Sequence, residues 1–356
     1  MADLGFLEHG GWPVVLTTLM GGGDLTPAVA QAAMTEILDG AASPAQIAAF
    51  IVALRMKGET VPELVGMVDA MLAASTRVDL DSGGAVIDVV GTGGDRAHTI
   101  NVSTLAAVVV AGAGGEVCKH GNRAASSACG AADLLEALGV AIELGPLGVA
   151  RCVAEAGIGF CFAPRYHPAM RHAGPSRRDL GIPTAFNILG PLCNPARVRR
   201  YVIGVADLAM ADRMAGVLRV KGAEHALIVH GGDGLDELTT TGVSTVVELR
   251  DGAVRHWEVD PAALGLRRAD REDLVGGDAA VNADLARRVL AGEHGPHRDI
   301  VVLNAGAGLL VAGRADDLRE GIEIAAAAID SGAAVATLAR LVEVSQRAAS
   351  TESPTR

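Results

Sequence analysis

Polar capping residues followed by apolar runs at helical spacing organise the first eighty positions of the chain. Three times, a Ser or Thr is followed within two residues by proline and then by apolar residues three and four apart. The helices predicted behind these signals are Ala28–Leu38, Ala45–Met56 and Leu64–Ala73. Two of the signals also have the spacing of a capping box. We therefore predict a helical N-terminal domain over residues 1–84.

From residue 85 the pattern changes to short, continuous apolar runs that alternate with alanine-rich helical stretches. The strands predicted from these runs are Val86–Val90, Glu116–Lys119, Gly159–Phe162, Tyr201–Val205, Ala226–Val229 and Ile300–Leu303. Continuous runs are typical of strands buried on both faces, and their alternation with helices predicts a mostly parallel sheet with helices on both sides. Thr245–Leu249 and Val254–Val259 predict a hairpin added to this sheet. The α/β domain is thus expected at 85–163 and 200–349.

Residues 164–199 interrupt this domain. They are rich in Pro, Arg and His and carry little strand pattern, so we expect part of the segment to cross back to the helical domain. Such a crossover joins the two domains and places a cleft between them. The last residues, 350–356, are predicted to be disordered.

Composition and charge narrow the possible functions. A net charge of −12 and an aromatic content of 3% argue against a nucleic-acid partner and against an anionic membrane. The apolar run Val102–Ala113 is too short for a membrane span, and positions 1–20 show no signal-peptide pattern. The five cysteines form no C-x-x-C pair, which is typical of reduced thiols. We therefore expect a cytoplasmic protein without a zinc site.

The first chemical signal is the loop Gly91-Thr92-Gly93-Gly94-Asp95, directly after a predicted strand. Its glycines allow the backbone N–H groups to approach a bulky anion. Asn101-Val102-Ser103-Thr104 follows and begins a helix, which Asn101 or Ser103 can cap, and free N–H groups at a helix start also bind anions. Neither the Walker pattern nor G-x-G-x-x-G is present. The combination favours phosphate binding over an ordinary turn.

The second signal is Lys119-His120-Gly121-Asn122-Arg123-Ala124-Ala125-Ser126-Ser127. Two cations, an amide and two hydroxyls within nine residues are suited to a polyphosphate and a neighbouring polar substrate. The loop follows the second predicted strand and therefore meets the first loop at the carboxyl edge of the sheet, where open α/β sheets bind ligands. For His120 a positioning role is favoured over a general base.

Two further segments complete the candidate site. Asp236 and Glu237, within Asp233-Gly234-Leu235-Asp236-Glu237, are adjacent carboxylates of the kind that bind Mg²⁺ together with phosphate oxygens. Residues 165–178 hold four arginines and two histidines. Most of these are expected to form salt bridges between the domains, but Arg171, Arg177 or Arg178 can bind a substrate carboxylate through its planar guanidinium.

These segments together resemble the anthranilate phosphoribosyltransferase family over nearly the whole chain. The shared motifs are G-T-G-G-D at 91–95, N-V-S-T at 101–104, K-H-G-N-R-A-A-S-S at 119–127, H-P-A-M-R-H at 167–172, G-I-P-T-A-F-N-I-L-G-P-L-C-N-P at 181–195 and D-G-L-D-E at 233–237. The resemblance implies a small helical domain hinged to a larger, mostly parallel α/β domain, as in nucleoside phosphorylases, and a homodimer. It also implies transfer of the phosphoribosyl group of phosphoribosyl pyrophosphate (PRPP) to anthranilate in tryptophan biosynthesis.

The resemblance also implies roles for individual residues. Those implied to bind PRPP are Gly91, Gly94, Asp95, Thr99, Asn101, Val102, Ser103, Thr104, Lys119, His120, Gly121, Asn122, Arg123, Ala124, Ala125, Ser126, Ser127 and Ala131. Those implied to contact anthranilate are Gly91, Asn122 and Arg177, with Ala163, Pro164 and His167 lining the route in. Those implied to hold Mg²⁺, directly or through water, are Ser103, Asp236 and Glu237.

The chain departs from the family pattern at Ala128-Cys129-Gly130-Ala131, where many members have Lys-Ser-Gly-Ser. Two phosphate contacts are therefore missing, and any contact at Ala131 comes from its backbone. A pyrimidine nucleoside phosphorylase is the nearest alternative, but its first loop usually has an extra Val-Gly, whereas Asp95 follows Gly94 directly here. A catalytically silent, nucleic-acid-binding relative is disfavoured by the intact motifs and the negative charge.

Overall fold

Capped helices form the first part of the chain in the computed structural model, which describes residues 4–81, 85–124 and 128–352. They are α1 (Leu4–Glu8), α2 (Gly11–Met20), α3 (Pro27–Leu38), α4 (Pro44–Lys57) and α5 (Val61–Ala73). The three predicted helices are confirmed, each beginning one to three residues earlier than expected because the prolines belong to the first turn. The capping box is present at α4, where the Ser43 hydroxyl and the Gln46 side chain each accept the other residue's N–H.

A buried carboxylate and a close helix contact hold this helical domain together. Glu63 accepts the N–H groups of Leu25 and Thr60 and pairs with the Lys57 ammonium at 2.9 Å. A Cβ on Gly66 would lie 2.1 Å from the Pro27 carbonyl oxygen, so α3 and α5 approach as closely as they do because position 66 is glycine.

The described strands of the second part form one sheet. They are β1 (Val86–Gly91), β2 (Glu116–Gly121), β3 (Ile158–Phe162), β4 (Arg200–Gly204), β5 (His225–Gly231), β6 (Ser244–Arg250) and β7 (Ala253–Val259). Their order is β3-β2-β1-β4-β5-β6-β7, with parallel pairs from β3 to β5 and antiparallel pairs from β5 to β7. The predicted parallel sheet with an added hairpin is confirmed.

The direction of winding reverses between β1 and β4. The chain runs outward from β1 through β2 to β3, then returns to place β4 on the other side of β1, with Gly91 opposite Gly204 in the register. Open α/β sheets bind ligands outside the carboxyl ends of the strands at such a reversal. The sequence motifs at residues 91–95 and 119–127 begin at this edge.

Further helices cover the sheet and fill the gap to the helical domain. They are α6 (Val102–Gly112), α7 (Ala131–Ala137), α8 (Pro146–Ala156), α9 (Ala163–Tyr166), α10 (Gly174–Leu180), α11 (Ala185–Leu192), α12 (Ala211–Val220), α13 (Ala279–Leu290), α14 (Pro296–Val311), α15 (Leu318–Asp330) and α16 (Ala333–Thr351). Short 3₁₀ helices lie at Pro168–His172, Leu208–Met210, Pro261–Leu264 and Arg271–Leu274.

The strand predicted at Ile300–Leu303 is wrong, because these residues lie inside α14. The helix is buried on all sides from Ile300 to Val311 and packs against α6, α15 and the sheet. A helix surrounded by protein shows no polar face, so its short apolar run cannot be distinguished from a buried strand by periodicity.

Residues 164–199 pack against the helical domain. The Ser176 hydroxyl on α10 donates to the Pro44 carbonyl at 3.4 Å, and both α10 and α11 contact α4. The Val78 N–H donates to the Pro195 carbonyl, so the two connections between the domains run side by side.

The chain end is more ordered than expected, because Ser350 and Thr351 still belong to α16. The Glu352 carboxylate accepts the N–H groups of Gly145 and Gly148 at the start of α8, which fixes the end of the helix. Residues 353–356 lie outside the described residues. In the described chain no single helix has the length and apolar composition of a membrane span, although α15 and α16 pass that test as a pair bent by 69°.

Candidate active site

The glycine loop after β1 presents open backbone. Gly93 and Gly94 have φ angles of 68° and 89°, and among the described residues no atom beyond their immediate chain neighbours lies within 4 Å of a Cβ built on either. Arg96 and His98 also adopt left-handed φ angles of 57° and 54°. Such angles are uncommon for non-glycine residues and cluster at binding sites. The loop therefore leaves open space beside Gly93 and Gly94, where the sequence analysis expected a bulky anion to approach the backbone.

The acidic loop lies directly on the ends of β1 and β4. A Cβ on Gly91 would lie 2.3 Å from Asp236 Oδ2, and one on Gly204 would lie 1.6 Å from the Asp236 carbonyl oxygen. The Gly93 N–H donates to Asp236 Oδ2 at 2.7 Å. The two glycines opposite each other in the sheet thus give Asp236 its position against the first loop.

Lys119 and Glu237 join the second strand to the start of α6. Lys119 is 2% exposed, and its ammonium donates to the Val89 carbonyl and, at 3.2 Å, to the Ser103 hydroxyl. The Ser103 N–H donates to Glu237 Oε1 at 3.2 Å. Neither Asn101 nor Ser103 caps α6 through its side chain, contrary to expectation, because the Glu237 carboxylate takes that position.

Burial dominates the electrostatics of this cluster. It raises the pKa of Asp236 to about 7, and the Asp95 charge adds to the shift. Burial and the neighbouring Asp236 raise the pKa of Glu237, whereas the Lys119 charge opposes the rise. Burial lowers the pKa of Lys119, and the Asp88, Glu237 and Asp236 charges oppose that. Negative charge is therefore in excess beside this ammonium.

The donor set fits a hard cation. The Asp236 and Glu237 carboxylates and the Ser103 hydroxyl converge near the open glycine loop. Mg²⁺ prefers one or two carboxylates with remaining positions filled by water and phosphate oxygens. Among the described residues no three His, Cys, Asp or Glu side chains are grouped so that they could hold a metal ion.

His120 and His167 form a buried pair. Their ring centroids are 5.1 Å apart, and His167 Nε2 donates to the Cys193 carbonyl at 3.0 Å. Burial lowers the pKa of His120 to about 3, with His167 adding to the shift, and burial lowers the pKa of His167 to about 4. His120 Nε2 has no hydrogen-bond partner in the described structure. A neutral ring of such low basicity favours a positioning role for His120 over general base catalysis.

Arg123 does not present a free cation to the site. Its guanidinium pairs with Asp133 at 2.9 Å and Glu136 at 2.8 Å and lies 5.5 Å from the centre of the Phe162 ring. Asp133 also accepts the Ala124 N–H. Arg123 thus shapes the second loop through contacts that sequence spacing alone did not indicate.

Other predicted phosphate residues contribute in different ways. Asn122 Oδ1 accepts the Arg123 N–H, and Gly121 ends β2. Val102 and Thr104 are buried within α6, and Ala131 is the first residue of α7. Ala125, Ser126 and Ser127 lie outside the described residues.

Three residues that support the loops were missed from the sequence. Asp88 accepts the His120 N–H at 3.1 Å and the Asn194 side-chain amide at 2.7 Å, and burial raises its pKa to about 6. Asn282 donates to Asn101. The third, Asn304, bonds to the loop that holds Glu237. An acidic residue inside an apolar strand, and asparagines on otherwise apolar helix faces, were the available signals.

The segment around 275 also pairs with the first loop. The Ile100 N–H donates to the Leu274 carbonyl, the Gly276 N–H donates to the His98 carbonyl, and Thr99 forms an isolated bridge with Val275. Nothing in this segment resembled a motif, because the pairing is made by backbone groups.

Arg177 is the half-buried arginine among the three candidates in the crossover. Its guanidinium lies 5.3 Å from the Phe186 ring centre and has no carboxylate partner among the described residues, and burial lowers its pKa. Arg171 and Arg178 are exposed. Phe186 lies one helical turn before Gly190, whose backbone contacts His120. No described contact joins Arg177 to Gly91 or Asn122, or brings Ala163 and Pro164 into the loops.

Comparisons with known proteins agree with this arrangement. The family described as "Glycosyl transferase family, a/b domain" matches residues 83–335, and its helical bundle domain matches residues 13–75. The anthranilate phosphoribosyltransferase of Salinispora arenicola is 55% identical over 340 residues, which span 94% of this chain and 96% of that protein.

Solved structures show the same fold. The anthranilate phosphoribosyltransferase of Thermus thermophilus aligns with a TM-score of 0.88 and 43% identity, covering 93% of this chain and 99% of that one. The Saccharomyces cerevisiae enzyme in complex with PRPP and Mg aligns with a TM-score of 0.86 and 28% identity, covering 94% and 98%.

We expect Asp236→Asn to stabilise the metal-free protein above neutral pH. The pKa of Asp236 is about 7 in the folded protein and 3.8 in the unfolded chain, so between these pH values the folded protein binds more protons than the unfolded chain. The free energy of unfolding therefore falls as the pH rises through that range. The variant should gain about 2–4 kcal/mol near pH 8 and little near pH 4. Urea unfolding with chelator at several pH values measures the difference, and a constant difference would contradict this assignment.

Proposed function

This chain belongs to the anthranilate phosphoribosyltransferase family, and we propose that it transfers the phosphoribosyl group of PRPP to the amine of anthranilate. The products are N-(5-phosphoribosyl)anthranilate and pyrophosphate, and the reaction is a step of tryptophan biosynthesis. The observation that carries the proposal is the contact between the acidic loop and the open glycine loop, with Lys119 buried beside them.

PRPP is proposed to bind along the carboxyl edge of the sheet. The open backbone at Gly94 suits a phosphate oxygen, because oriented N–H groups bind anions without a charged side chain. The Gly93 and Ser103 N–H groups instead hold the Asp236 and Glu237 carboxylates. The further PRPP residues are those implied by the family motifs. Asn101 is proposed to support the PRPP site indirectly, by holding the first loop to the second. Its side-chain amide already donates to the Cys129 carbonyl and accepts from Asn282.

Mg²⁺ is proposed as the cofactor, held by Asp236, Glu237 and Ser103. When bound, it neutralises charge on the pyrophosphate that departs from the anomeric carbon. The residues of the chain hold both carboxylates in place beforehand, through the Gly93 N–H and the Ser103 N–H. Two buried carboxylates at this point suit a pyrophosphate donor better than a nucleoside, which argues against a nucleoside phosphorylase.

Anthranilate is proposed to lie between the crossover and the second loop. Arg177 offers a guanidinium for its carboxylate, and His120 Nε2 offers a hydrogen bond without carrying charge. Asn122, Gly91, Ala163, Pro164 and His167 complete the acceptor site in this proposal. No covalent nucleophile is needed, because the aromatic amine attacks directly, and correct placement of the two substrates supplies much of the rate.

A homodimer working in the cytoplasm is part of the same proposal. Leu7, Val14 and Met20 expose 62%, 49% and 81% of their surface on the first two helices, which is apolar area suited to a second copy. Light scattering that gives the mass of a monomer at micromolar concentration would contradict the dimer.

The reaction is tested by incubating the chain with PRPP, Mg²⁺ and anthranilate and following the loss of anthranilate fluorescence. Activity should disappear in excess chelator, and Asp236→Asn combined with Glu237→Gln should lower it by on the order of 10–100-fold or more. Full activity of the double variant would exclude these metal ligands, and an inactive wild type would exclude the reaction.

Gly94→Val should abolish PRPP binding in a chain that still folds. The φ angle of 89° is strained for a β-branched residue, and the side chain would enter the open space in front of the loop. Calorimetry with PRPP, together with thermal unfolding, measures both properties. Unchanged affinity would mean that this loop is only a turn.

Arg177→Ala should raise KM for anthranilate and leave KM for PRPP nearly unchanged. Loss of one partner of a desolvated charge pair costs roughly 2–5 kcal/mol, and the lower end applies to this half-buried site, so a rise of roughly 30-fold is expected. The carboxylate changes little during the reaction, so kcat should change less than KM.

Two controls sharpen this measurement. Turnover of aniline, which lacks the carboxylate, should not respond to Arg177→Ala. The exposed Arg178 is the matched position, and Arg178→Ala should leave KM for anthranilate unchanged. A selective defect in Arg178→Ala would reassign the contact.

A further inference from the structure

The asparagines of this chain are few and concentrated around the site. The sequence contains six, of which Asn194, Asn282 and Asn304 are at most 2% exposed. A buried amide is costly unless its donors and acceptor are bonded. The bonds made by Asn282 and Asn304 lead to two different loops of the candidate site.

Asn304 on α14 holds the exit of the acidic loop. Its Oδ1 accepts the Leu238 N–H at 3.0 Å, and its Nδ2 donates to the Leu238 carbonyl at 2.8 Å and to the Ile300 carbonyl at 2.9 Å. Leu238 follows Glu237 directly. One amide therefore fixes both backbone polar groups of the residue next to the carboxylate pair.

Asn282 on α13 joins the two phosphate loops. Its Oδ1 accepts the Gly277 N–H at 2.7 Å, and its Nδ2 donates to Asn101 Oδ1 at 2.9 Å. Asn101 Nδ2 in turn donates to the Cys129 carbonyl at 2.9 Å. Two amides in series thus run from α13 through the first loop to the second.

The hydrogen bonds of Asn282 and Asn304 orient specific backbone groups, which a side chain that only filled space would not do. Leu238, Gly277 and Cys129 lie outside regular helices and strands, so their peptide groups depend on side-chain partners. An apolar side chain could fill either cavity, but it could not orient the loop. The site is also built on α13 and α14, which are rigid elements that hold no predicted site residue.

We propose that Asn282 and Asn304 are positioning residues with separate tasks. Asn282 sets the spacing of the two loops that receive PRPP, and Asn304 holds the carboxylate pair in register for the metal. The proposal rests on the function proposed above. It predicts that the spacing of the phosphate loops and the position of the carboxylate pair can be disrupted independently by substitution.

The test compares Asn282→Ala and Asn304→Ala by amide hydrogen exchange and by PRPP calorimetry with and without Mg²⁺. In Asn282→Ala, exchange should rise within 98–104 and 128–131, and PRPP affinity should fall on the order of 10–100-fold at either metal level. In Asn304→Ala, exchange should rise within 236–240. Metal-free PRPP affinity should stay within about 3-fold, while the gain in affinity from Mg²⁺ falls on the order of 10-fold.

Ser345→Ala is the matched control, because Ser345 is also buried and its hydroxyl accepts the Ala141 N–H at 3.1 Å, with no contact to either loop among the described residues. It should lower thermal stability without changing exchange or PRPP binding at the site. If Asn304→Ala does not fold, Asn304→Ser, whose hydroxyl is too short to reach Leu238, replaces it.

Two results would overturn the proposal. One is a folded pair of variants that change the same binding quantity by the same factor. The other is normal exchange in the named segments of both variants. Wild-type protein that neither binds nor consumes PRPP would instead refute the proposed function, and the exchange pattern would still judge whether each asparagine fixes its loop.

Discussion

The buried ammonium of Lys119 is the charge on which the geometry of the site depends. Removing an ion from water costs several kcal/mol even after relaxation, so Asp236 and Glu237 can be buried only with nearby compensation. Lys119 supplies a positive charge, and the N–H groups of Gly93 and Ser103 supply oriented dipoles. The compensation is incomplete, since the pKa of both carboxylates is raised. The site is thus held ready for additional positive charge.

The sheet provides the second constraint. Because winding reverses between β1 and β4, their carboxyl ends open onto a gap between crossovers that leave in opposite directions. The acidic loop lies in this gap only because Gly91 and Gly204 lack side chains. Strand order, two glycines and a carboxylate therefore form one arrangement, in which changing any part displaces the others.

The sequence predicted the elements whose signal lies within a few neighbouring residues, but not the contacts between residues far apart in the chain. Capping residues and the continuous runs of β1 to β5 predicted their elements, because each pattern is complete within a few residues. The strand prediction for Ile300–Leu303 was wrong because a helix buried on all sides shows no helical periodicity in its sequence. The motifs that follow the predicted strands correctly indicated that Asp236 and Lys119 lie at one edge of the sheet. The ion pair of Arg123 with Glu136 and the hydrogen bond from Asn282 to Asn101 could not be predicted, because no spacing rule covers residues so far apart in sequence.

The side-by-side connections between the domains have a consequence for synthesis on the ribosome. The helical domain packs against α10 and α11, which are made only after β1, β2 and β3. Likewise, the second edge of β1 stays unpaired until β4 has been synthesised. Although domains generally fold in order as they emerge, here neither half can be finished before about residue 204 has left the exit tunnel. Until then the nascent chain exposes the helix faces that α10 and α11 later cover and the open edge of β1.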